Sequence, residues 1–479
     1  MTETFDVVIV GGGIAGLSTA WYLERNARAT KNNLRYALLE ESKRWGGHIF
    51  TERISANGSG EFIVEAGPDS FLTQKPWALQ LARELGLADE LLGTNDKQRQ
   101  VYVLNRGKPT VMPDGVLLIV PTKFTPFALS PLLSPLGKLR MGLDLLLPAK
   151  RDGKDETLAD FVRRRLGSEA LDKIAEPLLS GIYNSEAEKQ SLLATFPRFR
   201  ALEVQYGSLT RGMLESRRTK NGNGDVHNPL KSKPMSAFVS FRGGTEDLVT
   251  SLVPRLHGDL RLSTTVRRIE RQDDAYVITT NKESIRARAV VMATPAFVAA
   301  QLLCELAPNV AKDLQTIRYV STGTISLAYR TSDIRRPLNG FGLVVPRSER
   351  RPINAVTASS IKFDQRAPEG YTLLRAFFGG SRSPQSMDLD DEQLVQVVRD
   401  QLRELMGIEN APLFQRIYRW NRSNAQYDVG HLDRLVQIES ALPKGIYLTG
   451  SAYRGVGIPD CVKQSQDTVQ NILCELKKQ

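Results

Sequence analysis

The sequence has few of the residues that build metal sites and covalent cross-links. Its 479 residues include three cysteines and four histidines, and the cysteines are mostly far apart, at Cys304, Cys461 and Cys474. They cannot form a disulfide framework or a zinc ribbon, and so low a number suits a reducing compartment. Because no His-Xaa-Xaa-Xaa-His pair or carboxylate cluster accompanies the histidines, we expect no metal site.

Long apolar runs are also missing. No stretch of about 18 uninterrupted apolar residues occurs, so no membrane span is predicted. The start, MTETFDVVIV, lacks the features of a secretory signal, and we expect a cytoplasmic protein. The apolar segment 116–148 is interrupted by five prolines. It can pack as an ordinary buried segment or lie against the inner face of a membrane, and the sequence leaves both open.

Acidic residues are outnumbered, because 53 Asp and Glu accompany 64 Lys and Arg, for a formal net charge of +11. A basic solvated surface explains this charge as well as an anionic substrate or an anionic lipid surface would. Nucleic acid is not an expected partner, because the basic residues are spread along the chain without a recognised nucleic-acid-binding motif. Nothing in the sequence indicates an oligomeric state.

A βαβ unit opens the chain. FDVVIV (5–10) is typical of a buried parallel strand, GGGIAGLSTAWYLERN predicts a helix, and LRYALLEES predicts a second strand. Gly11, Gly13 and Gly16 form a GxGxxG turn, which allows a pyrophosphate to approach the helix N-terminus. Glu40, at the end of the second strand, can accept hydrogen bonds from a ribose. Together these features predict a dinucleotide site.

Further glycine turns favour FAD over NAD. SKRWGGHI follows Glu40 directly, and EAGPDSF (65–71) supplies another glycine turn with small polar groups. An extended FAD has use for these turns, whereas an NAD domain does not need them. The cofactor contacts predicted in this part of the chain are Gly11, Gly12, Gly13, Ile14, Ala15, Gly16, Glu40, Glu41, Arg44, Gly47, Gly67, Pro68, Asp69 and Ser70.

The pattern then changes along the chain. Amphipathic helices are predicted after about residue 75, and the polar, basic segment 217–234 predicts a flexible surface loop. Strands are predicted within 259–293 and 318–378, followed by the helix DDEQLVQVVRDQLRELMG. The C-terminal part reads as a strand, a glycine-rich loop and a helix.

The chain resembles the flavoprotein family that includes amine oxidases, phytoene desaturases and oxygen-dependent protoporphyrinogen oxidases. GSAYRGVGIPDC (450–461) is similar to the family's C-terminal return to the flavin, and ARAVVMATPA (287–296) to its strand and turn beneath the cofactor. The resemblance implies that Val266 contacts the adenine and that a partly charged His48 lies near the phosphates. It also implies flavin contacts at Trp420, Gly450, Val456, Gly457 and Ile458.

Several segments in order resemble the protoporphyrinogen oxidase branch, which includes bacterial coproporphyrinogen III oxidases: EAGPDSFL, EPLLSGIY, FVSFRGGTEDLV, GFGLVVPRSE, RAPEGYTLLRAFFGG and QYDVGH. Two segments depart from the branch. Asn184, Ser185 and Glu186 follow Tyr183 where the branch usually has Ala-Gly-Asp, and Ala425 stands where it usually has Pro. Whether the substrate carries two or four propionates stays open.

The resemblance implies an α/β fold: a Rossmann-like FAD-binding domain assembled from N- and C-terminal segments, a mixed-sheet substrate domain and an inserted helical region. The predicted FAD-binding parts are residues 1–90, 259–310 and 416–479. A helical region with a candidate membrane surface is predicted at 91–210. Substrate-domain parts are predicted at 211–258, which includes the flexible loop, and at 311–415.

The resemblance further implies oxidation of a porphyrinogen to a porphyrin, in haem biosynthesis, by three two-electron steps. Each step would pass a hydride to the flavin, which dioxygen would reoxidise, and no general base is predicted. The implied substrate contacts are Arg99, at a propionate, and Gly181, Ile182, Phe341, Leu343 and Ala358. The plainer alternatives are a solvated arginine, a helix-terminal glycine and ordinary core packing. A flavin amine oxidase, a carotenoid desaturase-like enzyme and a flavin-binding protein without turnover also stay open.

Overall fold

The computed structural model describes residues 3–29, 34–56, 60–117, 119–222 and 236–476. In the part before residue 223, the elements are β1 (Thr4–Val10), α1 (Ile14–Ala29), β2 (Tyr36–Leu39), β3 (Thr51–Ser55), β4 (Glu61–Glu65), β5 (Phe71–Leu72), α2 (Pro76–Glu84), β6 (Leu91–Gly93), β7 (Val101–Asn105), β8 (Lys108–Val111), β9 (Val116–Leu117), β10 (Val120–Pro121), α3 (Phe124–Leu129), α4 (Pro135–Gly142), α5 (Leu158–Arg165), α6 (Ser168–Ala170), α7 (Gly181–Tyr183), α8 (Leu192–Thr195), α9 (Pro197–Tyr206) and α10 (Leu209–Gly222).

From residue 236 the elements are β11 (Phe238–Phe241), α11 (Asp247–Leu252), β12 (Asp259–Arg261), β13 (Val266–Gln272), β14 (Ala275–Thr280), β15 (Ser284–Met292), α12 (Ala296–Leu303), α13 (Pro308–Gln315), β16 (Tyr319–Arg330), β17 (Gly342–Val344), β18 (Ala355–Ala358), α14 (Ser359–Lys362), β19 (Tyr371–Gly379), α15 (Asp391–Met406), β20 (Phe414–Ala425), α16 (His431–Ala441), β21 (Ile446–Leu448) and α17 (Ile458–Leu476). A π-helix spans Leu171–Ser180, and short 3-10 helices include Asp96–Gln98 and Leu143–Leu145.

The first large sheet joins the two ends of the chain. Its strand order is β12-β2-β1-β15-β14-β13, and β21 pairs in parallel with β15. The run FDVVIV forms most of β1, whose side chains from Val7 to Val10 are buried because helices cover the sheet. The predicted α/β fold, with a dinucleotide-type sheet assembled from distant segments, is confirmed.

The second large sheet has the order β20-β16-β19-β18-β17-β7-β8. One face packs on α15 in an apolar core, and the other faces the glycine segment after β4. Two strands lie in this sheet although the predicted ranges grouped them elsewhere: β7 falls within the predicted helical region, and most of β20 falls within 416–479. Strand pairing is a long-range property, so a short strand's own residues do not reveal which sheet it joins. The predicted domain ranges themselves stay predictions.

Helices α3 to α10 form the inserted region around their own apolar core. Segment 116–148 is buried in part, at residues such as Phe127 and Leu133, and exposed in part, at residues such as Leu129 and Leu146. Among the described helices, none combines the length and apolarity needed to cross a membrane. Of the predicted loop 217–234, residues up to 222 are the end of α10, and residues 223–234 lie outside the described residues.

Candidate functional site

The glycine turn after β1 contains two glycines that the protein itself requires. Gly11 has φ +110°, in the region that favours glycine, and its N–H donates to the Leu39 carbonyl oxygen at 2.8 Å. A Cβ at Gly16 would lie 1.8 Å from the Gly11 carbonyl oxygen. Helix α1 can approach β1 this closely because both positions lack a side chain.

Gly13 is different, because the space beside it is open. A Cβ there would meet the Cα of Gly47 at 3.9 Å and no other described atom within 4 Å. The open space lies at the N-terminus of the 16-residue helix α1, where unpaired N–H groups and the helix dipole favour an anion. This geometry suits a pyrophosphate between the turns at Gly13 and Gly47.

Glu40 follows β2 and accepts hydrogen bonds from two turns, the glycine turn after β1 and the turn at Ser42. Its Oε2 accepts a hydrogen bond from the Gly12 N–H at 2.6 Å, and its Oε1 accepts one from the Ser42 N–H at 2.8 Å. A carboxylate retains further lone pairs for a ribose hydroxyl. Val266 begins the strand that follows Thr264, whose N–H donates to the Glu40 carbonyl oxygen at 2.9 Å.

Arg44 folds the loop that follows. Its guanidinium donates to the carbonyl oxygens of Trp45, Gly47 and Ile49, so these donors are used within the protein. The imidazole of His48 reaches solvent at one edge, but displacement of water by the groups around it, and then the charge of Arg44, lower its pKa. The lowered pKa reduces the partial positive charge that the sequence predicts at this position.

The turn at residues 66–70 lies against the second sheet. The indole N–H of Trp420 donates to the Ala66 carbonyl oxygen at 2.8 Å, and Arg375 donates to the carbonyl oxygens of Ala66 and Gly67. Lys362 lies 2.9 Å from the Asp69 carboxylate. Burial alone would raise the pKa of Asp69, but the charges of Lys362 and Arg375 outweigh it and hold that pKa well below its usual range.

The C-terminal loop reaches the same region. A Cβ at Gly450 would lie 3.7 Å from the Cβ of Ala15, and the Ser465 hydroxyl donates to the Ala15 carbonyl oxygen at 2.7 Å. The first turn of α1 thus contacts both Gly450 of the C-terminal loop and Ser465 within α17. The remaining predicted cofactor contacts are placed as follows: Ile14 and Ile458 buried, Val456, Gly457, Pro68 and Ser70 half-buried, and Glu41 exposed.

The predicted substrate contacts fall on different surfaces. Leu343 and Ala358 are buried in the core against α15, so the alternative of core packing describes both. Because side chains alternate along a strand, the residues adjacent to Leu343 and Ala358 in their strands point to the opposite face of the sheet. That face carries Phe377 and Trp420. That face, rather than the predicted one, can line a cleft.

The other candidates lie at the edges of that face. Ile182 is 54% exposed and follows Gly181, which begins α7. Phe341 is half-buried, and its N–H donates to the Gln100 carbonyl oxygen at 2.8 Å. This bond brings Phe341 next to Arg99, which is exposed and has no hydrogen bond or ion pair to another described residue.

Comparison with known proteins identifies the class of site. The family described as flavin containing amine oxidoreductase matches residues 14–473. The chain belongs to this family. The coproporphyrinogen III oxidase of Bacillus subtilis (strain 168) is 35% identical over 98% of each chain. The chloroplastic protoporphyrinogen oxidase of Oryza sativa subsp. japonica is 32% identical over 99% of this chain and 89% of its own.

A solved structure agrees. A protein from Exiguobacterium sp. 255-15, provisionally named a protoporphyrinogen oxidase, superposes with a TM-score of 0.85 at 31% identity, covering 99% of each chain. The resemblance drawn from the sequence is therefore confirmed, and membership of this family implies a flavin cofactor.

Sequence reasoning missed two residues that lie beside predicted cofactor contacts. The Tyr427 hydroxyl donates to the Ser451 carbonyl oxygen at 2.9 Å and accepts from the Gly455 N–H at 2.8 Å, so it clamps the C-terminal loop. Phe377 is half-buried and shares its face with Trp420. Both residues lie in segments that resemble the family, QYDVGH and RAFFGG, but nothing local in these segments reveals a contact made elsewhere in the chain.

Proposed function

We propose that this chain is an FAD-dependent oxidase that converts a porphyrinogen to the porphyrin in three two-electron steps, with dioxygen as oxidant. The observation that carries the proposal is the shared face of the second sheet. Trp420 on this face donates a hydrogen bond to Ala66, in the turn at residues 66–70. Phe377 on the same face can pack against a flat, apolar ring. The names of the relatives support a porphyrinogen as that ring.

FAD is proposed because the chain offers contacts along an extended cofactor. Gly13 and Gly47 leave room for the pyrophosphate at α1, Glu40 is placed for the ribose, and Gly450 returns toward Ala15. When bound, FAD supplies a hydride acceptor. The protein positions both partners and excludes water, with Arg375 fixing the Ala66–Gly67 turn. We assign no general base.

The test is a reaction in air with the purified yellow protein. We expect porphyrin fluorescence from coproporphyrinogen III or protoporphyrinogen IX, with three molecules of peroxide per porphyrin. In the absence of oxygen, the porphyrinogen should bleach the flavin, and air should restore its colour. Bleaching by an amine or a carotenoid precursor instead would support the alternative enzymes. Bleaching by none of these compounds would leave a flavin-binding protein without turnover.

We also propose that an exposed stripe of leucines lies on an anionic membrane surface. Leu136, Leu139 and Leu146 are 78%, 67% and 79% exposed, and they follow one another at helical spacing along α4 and the turn after it. Segment 120–151 contains five basic residues and one acidic residue, Asp144, which is buried. The charge suits an anionic lipid headgroup.

The leucines cannot simply turn inward, because polar contacts fix the segment that carries them. Arg165 is fully buried and donates to Asp144 and to the carbonyl oxygens of Leu147 and Pro148. Arg140 donates to three carbonyl oxygens at the end of α5. Contiguous exposed apolar side chains on an anchored helix are typical of an interaction surface.

Co-flotation with vesicles tests the membrane proposal. We expect flotation with vesicles that contain phosphatidylglycerol, and its loss in the triple variant Leu136→Ser, Leu139→Ser, Leu146→Ser. The control variant Leu413→Ser, Val436→Ser changes two exposed apolar residues outside the leucine stripe. It should float with the vesicles as the wild type does. Equal flotation of the triple variant, or a leucine-dependent dimer without lipid binding, would contradict the proposal.

A further inference from the structure

A buried arginine lies at one end of the proposed substrate cleft. Arg382 follows β19, its side chain is 8% exposed, and its Nη1 donates to the Val345 carbonyl oxygen at 2.9 Å. Its Nη2 lies 3.8 Å from the position that a Cβ on Gly181 would take, and outside the adjoining helix and the neighbouring residues no other described atom comes within 4 Å of that position. The guanidinium therefore borders open space beside Gly181 and the exposed Ile182.

The partner of this arginine is poorly placed. The Glu176 Oε2 atom lies 3.6 Å from Nη1 and has no hydrogen-bond partner among the described residues. Burial raises the pKa of Glu176 and lowers that of Arg382, so the pair is less stabilised than two well-bonded charges would be. A second carboxylate with better hydrogen-bond geometry would therefore stabilise this buried guanidinium.

Glu176 belongs to the π-helix Leu171–Ser180, which contains Pro177. Proline lacks the N–H of a regular helical turn, and π-helical turns occur often at functional sites. The π-helix ends at Ser180 and α7 begins at Gly181, so the junction of the two helices brings both Glu176 and Gly181 to Arg382. The Ser348 hydroxyl donates to Asp172 at 2.8 Å and fixes the same helix beside the end of β17.

Positive charge thus occurs at both ends of β17. Arg99 lies next to Phe341, just before the strand, and Arg382 bonds to Val345, just after it. Four residue steps separate Phe341 from Val345, which is about 13 Å at ~3.3 Å per residue. The face between these ends carries Phe377, because Val344 pairs with Ala355 and Ala355 pairs with Phe377.

We infer that Arg382 binds a carboxylate of the substrate at the Gly181 end of this cleft. This inference rests on the proposed function. With Arg99 at the opposite end, the cleft suits a ring that carries acidic groups on opposite edges. Coproporphyrinogen III has propionates on all four pyrrole rings, whereas protoporphyrinogen IX has them on two adjacent rings. Arg382 therefore favours the four-propionate substrate.

The test compares both substrates in Arg382→Met and Arg382→Lys. Loss of one charge-assisted contact should raise KM for coproporphyrinogen III by about 10-fold or more, with a smaller change for protoporphyrinogen IX and with FAD still bound. Lysine should restore part of the affinity. In Glu176→Gln the competing carboxylate is absent, and KM for coproporphyrinogen III should fall below the wild-type value.

Two results would overturn the inference: an unchanged ratio of kcat/KM for the two substrates in FAD-loaded Arg382→Met, or a raised KM in Glu176→Gln. The proposed function is judged separately, by wild-type turnover. If the wild type oxidises neither porphyrinogen, titration with coproporphyrin III, followed by fluorescence quenching, still decides whether Arg382 binds its carboxylates. If Arg382→Met fails to fold, the KM for coproporphyrinogen III in Glu176→Gln tests the inference instead, because this variant retains Arg382.

Discussion

The imidazole of His48 and the indole of Trp420 meet edge to face, with ring centroids 5.0 Å apart. His48 belongs to the loop that follows Glu40 on the first sheet, and Trp420 belongs to β20 of the second. The same indole holds the Ala66 carbonyl oxygen. The two sheets therefore meet at residues that the sequence assigns to the cofactor, and half-buried Phe377 lies on the same sheet face as Trp420.

Gly13→Val should give a folded protein that purifies without FAD. A side chain at this position enters the open space at the N-terminus of α1, where the pyrophosphate is proposed, and its Cβ meets no described protein atom closer than 3.9 Å. We expect the yellow flavin spectrum to be lost while the circular dichroism spectrum is retained. Gly142→Val is the matched control, because Gly142 has a helical φ of −61° and no neighbouring atom within 4 Å. A Gly13→Val protein with full flavin absorbance would refute the phosphate site.

The difference between Gly13 and Leu343 illustrates what sequence could reveal. The GxGxxG turn, the strand before it and Glu40 are close in the chain, so local spacing was enough to predict their association. Leu343 and Ala358 were expected in the substrate wall, but both lie in the core. One face of the second sheet packs on α15 and the other carries half-buried Phe377 and Trp420, and alternation along a short apolar strand does not indicate which of two such faces lines a cleft. Tyr427 and Arg382 depend on contacts between distant segments, which no local pattern encodes.

Arg99→Ala should lower kcat/KM for the porphyrinogen and leave FAD bound. Arg99 is exposed beside Phe341 and has no partner among the described residues, so its loss should remove little folding free energy. A contact with a propionate would appear as a raised KM, by about 10-fold. Lys97→Ala removes an exposed positive charge two residues away and reports general electrostatic attraction alone. Equal effects of the two substitutions would exclude Arg99 as a specific contact.

Tyr427→Phe should weaken FAD binding by loosening the C-terminal loop. The substitution leaves the Ser451 carbonyl oxygen and the Gly455 N–H without their buried partner, and each such loss costs about 1–3 kcal/mol. We expect a higher Kd for FAD and a shifted flavin absorbance band. Tyr453→Phe is the control, because the Tyr453 hydroxyl is buried and has no hydrogen-bond partner among the described residues. If both variants bind FAD as the wild type does, the clamp has no part in holding the cofactor.

His431 should make the protein less stable in mild acid. The imidazole is fully buried, stacks on Tyr427 with ring centroids 4.1 Å apart, and lies 2.8 Å from the Tyr453 carbonyl oxygen through Nε2. Burial lowers its pKa from 6.5 to about 4, more than the hydrogen bond to Tyr453 raises it. Between these two pH values, His431 is protonated in the unfolded chain but stays neutral in the folded protein. The free energy of unfolding should therefore fall as pH falls from about 6.5 to about 4, by about 3 kcal/mol from this group.

The measurement is urea unfolding of the wild type and of His431→Gln between pH 7.5 and pH 4. Glutamine can still donate to the Tyr453 carbonyl oxygen but does not titrate, so the difference between the two stabilities should change across this window. Because His431 supports Tyr427 and Tyr453 of the flavin loop, release of fluorescent FAD should follow the same pH dependence in the wild type and be reduced in the variant. Parallel stability curves for the wild type and His431→Gln would show that the buried imidazole does not govern acid sensitivity.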